Sequence, residues 1–252
     1  MKLRINHLRR KDIQFAEKDQ ALRNDVRMLG HLIGDLIKEQ SGQKLYDFVE
    51  KARLTAIENR DEDTSKKTNL KDLLKGLEPK FAMEVIRSFS TYFQMANTAE
   101  KVHRIRRRRS YHQNPGQFQP GGMEETLTKL KANGTTLDEL ETLLKSILIQ
   151  PVFTAHPTEP TRRTILQKEQ RIVRQLIEML NPTMTFQEKT ICMENIKLEI
   201  STAWQTQEHP SDQMTVADEL EHILFFMTDV LYRVLPPLYE DIQNSILRVY
   251  GE

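Results

Sequence analysis

Apolar residues recur along most of the chain at three- and four-residue spacing, the period of an α-helix with one buried face. Leu22, Val26, Leu29, Ile33, Leu36 and Ile37 share one such face, and Ser41-Gly42 ends it. Leu45, Phe48, Val49, Ala52 and Ala56 form the next face, which runs into the polar stretch Arg60-Asp61-Glu62-Asp63-Thr64-Ser65-Lys66-Lys67, a loop by composition. A short helix around Leu70 to Lys75 precedes a long one opening after Pro79, with Ala82, Val85, Ile86, Phe89, Phe93 and Ala96 facing inward. Asn114-Pro115-Gly116 and Gln119-Pro120-Gly121-Gly122 make a flexible loop. Helices over Met123 to Ala132 and Leu137 to Ser146 follow, separated by the turn signal Asn133-Gly134. Residues 1–20 mix charges with isolated apolar residues and read as a loosely ordered arm.

The period changes once. Ile147 to Phe153 is a β-rich apolar run, Thr154-Ala155-His156-Pro157-Thr158 is a tight turn, and a helix carrying Ile165, Ile172, Val173, Leu176 and Leu180 leaves it, stopping at Asn181-Pro182. This reads as strand, loop, helix, with Thr158 as N-cap, Pro160 in the first turn and two arginines, Arg162 and Arg163, beside them. A further helix opens near Thr185 and buries Ile196, Ile200, Ala203 and Trp204. The final helix opens at Thr215, with Asp218 three residues on as an approximate capping box. It presents Leu220, Ile223, Leu224, Met227, Leu231 and Val234 on one face. Pro236-Pro237 is expected to kink or break it, with helix resuming through Ile242 and Ile246.

Composition narrows the classes. The 252 residues suffice for one or two domains with a substantial core, at 38% hydrophobic content and a mean hydropathy of -0.58. A net charge of +1 predicts no global attraction to nucleic acid or anionic membrane. Cys192 is the single cysteine, which rules out an intrachain disulfide framework and suits a reducing cytoplasm. No secretory h-region and no bilayer-length apolar run occurs, so the expected location is cytoplasmic, away from membranes. Arg104-Ile105-Arg106-Arg107-Arg108-Arg109 could bind nucleic acid or an acidic partner, but its simpler reading is a solvated helix end without an aromatic platform. Cys192 reads as helix filling and Trp204 as core.

The chemistry therefore concentrates around His156. An imidazole titrates closest to neutral pH, and just past the C-terminal end of a strand it stands where ligands of α/β folds bind. Pro157 restricts the backbone before it and so the direction of the ring. Arg162 and Arg163 at a helix N-terminus offer an anion site, with phosphate the usual occupant. The alternatives are a structural histidine and a solvated arginine face.

Phe153-Thr154-Ala155-His156-Pro157-Thr158-Glu159, then Thr161-Arg162-Arg163-Thr164 and Lys168, resembles the first signature of the phosphoenolpyruvate carboxylase family. Leu22-Arg23-Asn24-Asp25-Val26 with Met28-Leu29-Gly30 and Gly34, Phe89-Ser90 with Ala96-Asn97-Thr98-Ala99-Glu100, and Trp204 with Thr206, Glu208 and Asp218-Glu219 resemble further family stretches in the same order. The resemblance implies a mostly α fold: the helical N-terminal region of an α/β-barrel enzyme, with one short barrel strand near 147–154. It implies three segments, the arm at 1–20, a helical region at 21–146, and the first barrel strand, His156 loop and following helices at 147–252.

For function, the resemblance implies carboxylation of phosphoenolpyruvate by bicarbonate to oxaloacetate and phosphate, with magnesium or manganese, in a tetrameric, cytoplasmic, allosterically regulated carbon-carbon lyase. His156 matches the histidine that handles carboxyphosphate and its proton. Arg162 and Arg163 match arginines that hold a sugar-phosphate activator in plant members. A third basic residue of that pocket would fall near Pro210, where no charge is available, and Pro210-Ser211-Asp212-Gln213 is more acidic than the family pattern. The family's later signatures, including its metal-binding segment, have no counterpart here. The expectation is an N-terminal portion that binds no metal and is inactive alone. The alternative is a non-catalytic helical module that binds phosphate or assembles with a partner.

Overall fold

The computed structural model of the chain describes residues 16–59, 70–114, 116–152, 162–206 and 215–251. After a 3-10 turn at Glu17–Asp19 come α1 (Gln20–Ser41), α2 (Gln43–Glu58), α3 (Leu70–Leu74), α4 (Pro79–Gln113), α5 (Met123–Ala132) and α6 (Leu137–Ser146). Then follow α7 (Arg163–Glu178), α8 (Phe186–Trp204), α9 (Val216–Phe225), a π-helical turn (Phe226–Leu231) and α10 (Tyr232–Tyr250). Among the described residues no strand occurs, and no helix is long and apolar enough to cross a membrane. The chain divides into two units, one of residues 1–104 and 164–206, the other of residues 105–163 and 207–252. Each therefore joins segments from both sides of residue 146.

The first unit is built on the apolar face of α1. Leu29, Ile33, Leu36 and Ile37 are buried there together with Leu45 and Val49 of α2. Val85, Met95, Ala99 and Val102 of α4, Ile172 and Leu176 of α7, and Ile196, Ile200 and Trp204 of α8 complete the same core. Two glycines make this possible. Gly42, at φ 88 and ψ 167, lets α1 turn into α2 within one residue, a backbone region open almost only to glycine. Gly34 lets the Tyr46 ring approach α1 so closely that an added Cβ would lie 3.1 Å from the ring.

On α4 the buried face differs from the one the apolar residues suggest. Ile86 and Phe93 are 68% and 60% exposed, whereas Ser88, Thr91 and Thr98 are buried. The reason is local hydrogen bonding: the Ser88 hydroxyl donates to the Glu84 carbonyl at 2.8 Å and Thr98 to the Gln94 carbonyl at 2.9 Å. Such bonds to the preceding turn satisfy the hydroxyls without water, so short polar residues can line a core.

In the second unit α5 packs on α10. Lys131 donates to the Val249 carbonyl at 2.8 Å, the Tyr250 hydroxyl to the Thr135 carbonyl at 3.3 Å, and Arg248 pairs with Glu124. Leu127 and Leu140 are buried in this unit. The face of α9 expected inward stays open instead, with Leu220 57% and Leu224 50% exposed. Nor does the helix break at Pro236-Pro237, since α10 continues through both. The regular ladder changes ahead of them, at Phe226–Leu231, where the wider π-helical turn precedes two residues that cannot donate a backbone hydrogen bond.

The strand expected near 147–154 is a further departure. Ile147 to Val152 carry no strand, and Leu148, Ile149 and Val152 are 84%, 77% and 86% exposed. A β-strand needs a neighbouring strand to complete its ladder, and none exists among the described residues. Residues 153 and 154 lie outside the described segments.

Among the described residues, three helices open with a full capping box: Thr136 with Glu139, Thr185 with Glu188, and Thr215 with Asp218. Each acidic side chain is held below its ordinary pKa. For Glu139 and Glu188 the cap backbone N–H is the larger cause and the threonine hydroxyl the next; for Asp218 the hydroxyl comes first.

Thr185→Ala is expected to destabilise the chain by about 1 kcal/mol and Gly42→Ala by about 1–3 kcal/mol, both read from urea midpoints. Because the folded pKa values are depressed, the capping carboxylates contribute stability above their unfolded pKa of about 4 and lose it as pH falls through the lower folded value. The urea midpoint should therefore drop as pH falls from about 5 to about 3, and drop less in a Glu139→Gln/Glu188→Gln variant. Equal acid limbs for both proteins would show that the boxes carry no pH-dependent stability.

Candidate functional site

Helix α7 opens at Arg163, with Arg162 the non-helical residue before it. Thr158 and Pro160, expected at the cap and in the first turn, lie outside the described residues. His156 lies outside them as well, as does Pro210. What the structure describes of the sequence-predicted site is the arginine pair. Arg162 is partly buried, whereas the Arg163 side chain is 62% exposed.

A guanidinium in the first turn of a helix faces the positive end of the helix dipole, so it gains from a nearby anion. For Arg163 that anion is Asp229, at 3.6 Å. Asp229 stands on the π-helical turn and also accepts a 3.0 Å hydrogen bond from Arg233, one turn on in α10. The Arg163 guanidinium additionally lies 5.1 Å from the centroid of the Phe225 ring, a cation-π contact that restrains its plane. Arg163, Arg233, Asp229 and Phe225 thus form one exposed cluster with two cations and one carboxylate. Asp229 and Arg233 escaped the reading of the sequence, although their i,i+4 spacing is the signal of a helical ion pair.

Lys168, which belongs to the same sequence signature, serves packing. Its ammonium donates to the Thr202 hydroxyl at 2.6 Å and lies 4.0 Å from Glu199. Glu199 also accepts from Arg171, at 3.1 Å to the second oxygen. These bonds tie α7 to α8 inside the first unit.

The other candidates resolve into structure. Trp204 is 5% exposed and belongs to the core, with Arg87 5.3 Å from its ring centroid. Cys192 is buried, and burial foremost, then the nearby Glu178, pushes its thiol pKa up, the opposite of a nucleophile's environment. In the arginine run, Arg104 pairs with Glu100 at 2.6 Å, Arg107 donates to the Tyr111 hydroxyl at 3.1 Å, and Arg108 pairs with Asp241. Among the described residues no group of three or more His, Cys, Asp or Glu side chains is placed to hold a metal ion.

Comparison with known proteins bears on the whole chain. A family model described as phosphoenolpyruvate carboxylase matches residues 22–252. The phosphoenolpyruvate carboxylase of Xanthomonas oryzae pv. oryzae is 45% identical over 243 residues, covering 96% of this chain and 27% of the relative. Those of Ralstonia nicotianae and Nitrosomonas eutropha are each 35% identical, covering 96% and 92% of this chain and 25% of each relative. The chain spans about a quarter of the length of these curated relatives. With a family match running from Leu22 to the last residue, over a mostly helical fold, the chain belongs to the phosphoenolpyruvate carboxylase family.

Proposed function

We propose that this chain is the histidine-bearing N-terminal portion of a phosphoenolpyruvate carboxylase, a carbon-carbon lyase. The enzyme joins bicarbonate to phosphoenolpyruvate, giving oxaloacetate and inorganic phosphate. The observation that supports it is the family match over residues 22–252, which contains the His156 stretch.

In this reading a bicarbonate oxygen attacks phosphorus and the enol C–O–P bond breaks at oxygen–phosphorus, leaving carboxyphosphate and the pyruvate enolate. Carboxyphosphate then releases phosphate and carbon dioxide, and the enolate carbon attacks the carbon dioxide. His156 takes and returns the proton of carboxyphosphate, the task of a group with near-neutral pKa. Arg162 and Arg163 hold a phosphorylated effector, for which the exposed Arg163 guanidinium is suited.

Magnesium or manganese, which stabilises phosphoryl and enolate charge, would be held by residues the relatives carry beyond the matched quarter. The whole enzyme is a cytoplasmic homo-oligomer, a tetramer, without membrane or nucleic-acid partners, and the 252-residue chain alone is inactive. A second reading, a non-catalytic helical phosphate-binding or assembly module, is favoured by the apolar residues left open on α9, Val216, Leu220 and Leu224.

Oxaloacetate formation tests the reading. The 252-residue chain, given phosphoenolpyruvate, bicarbonate and magnesium, is expected to form none. Coexpression with the unmatched part of the Xanthomonas oryzae relative is expected to restore formation, and His156→Asn to lower the restored rate by about 10² or more. An equal rate with asparagine would remove the proton role from His156. Turnover by the chain alone would show that the unmatched three quarters of the relative are not needed, and no restoration would favour the assembly module.

A further inference from the structure

We propose that Arg233 completes, with Arg163, a two-guanidinium oxyanion site, and that the Asp229 carboxylate is its built-in occupant, displaced when a phosphate-bearing effector binds. The inference rests on the reading of Arg163 as an effector residue and adds two residues and a regulatory contact to it. Arg163 and Arg233 reach opposite oxygens of one carboxylate, at 3.6 Å and 3.0 Å. Two oxygens of a phosphate are spaced nearly as those of a carboxylate, so guanidinium groups placed to share Asp229 are placed to share a phosphate.

The cluster is built to exchange anions. Side-chain exposures of 62% for Arg163, 73% for Arg233 and 32% for Asp229 leave the ion pairs in water, where they are weak and screened. A phosphate dianion carries more charge than the carboxylate it replaces. Phe225, 5.1 Å from the Arg163 guanidinium, restrains that group while the anion is exchanged. Asp229 itself sits on the π-helical turn Phe226–Leu231, a widened turn of the kind that often marks functional positions. With Asp229 present the cluster carries two positive charges and one negative; without the carboxylate, it carries two positive charges.

The test is binding of inorganic phosphate to the 252-residue chain at low ionic strength, followed by calorimetry, with helical circular dichroism checked for each variant. Asp229→Asn is expected to tighten phosphate binding about fivefold, the scale of one surface ion pair, and Asp229→Ser to do the same should the amide itself bond Arg233. Adding Arg233→Gln or Arg163→Gln to Asp229→Asn should reverse the gain. Equal phosphate affinity in the parent chain and both Asp229 variants overturns this inference and leaves the effector role of Arg163 standing. An unchanged affinity on adding Arg233→Gln removes Arg233 from the site and overturns it as well. No phosphate binding by any of these proteins overturns the effector reading together with the inference.

Discussion

The packed face of α1 is the constraint on which the first unit depends. Leu29, Ile33, Leu36 and Ile37 are nearly solvent-free, and the surfaces that cover them come from α2, next in sequence, and from α8, some 160 positions later. Burying apolar side chains of this kind contributes about 1.5–3 kcal/mol each before the entropy of ordering is subtracted. The rim of the contact is polar: Gln40 donates to Ser201 at 2.6 Å, and Lys197 pairs with Glu39 at 2.8 Å. Those exposed bonds set register more than stability. Helix α7 shares this core through Ile172 and Leu176.

Helix α4 shows how such a core accepts polar residues. Its length, Pro79–Gln113, lets it contribute to both units, and its buried side in the first is lined by Val85, Ser88, Thr91, Met95 and Thr98. The hydroxyls of Ser88 and Thr98 bond to the carbonyls one turn back, so their burial leaves no polar group without a partner. What stays outside is a stripe of larger apolar groups, Met83, Ile86 and Phe93. Hydrophobicity alone would turn the helix the other way, and hydrogen-bond satisfaction together with the shape of the neighbours decides otherwise.

At the arginine cluster the governing physics is charge rather than packing. Arg163 in a first helical turn meets the unfavourable end of the dipole, and Asp229 relieves it while also bonding Arg233. The side chains stay wet, so the contact is reversible, unlike the partly buried Lys168–Glu199 pair at 16% and 18% exposure, which serves α7–α8 packing. Arg163 and Lys168 of one family signature thus have different tasks, one facing water and one facing a neighbouring helix.

Local signals sufficed for much of this architecture. The α5 and α6 boundaries at Met123–Ala132 and Leu137–Ser146, the turn at Gly42 and the Thr215–Asp218 capping box were all legible, because caps, glycine turns and 3.6-residue periodicity act within a few residues. So was the family, whose signature around His156 and Arg162-Arg163 is written in the order of residues. The strand near 147–154, the buried face of α4, the open face of α9 and the meeting of Arg163 with Asp229 were not legible in the same way. Each depends on a partner far along the chain: a neighbouring strand to complete a ladder, a core that selects which side of a helix it covers, a carboxylate 66 positions away. Periodicity states that a helix has a face to bury, and only tertiary structure determines what, if anything, buries it.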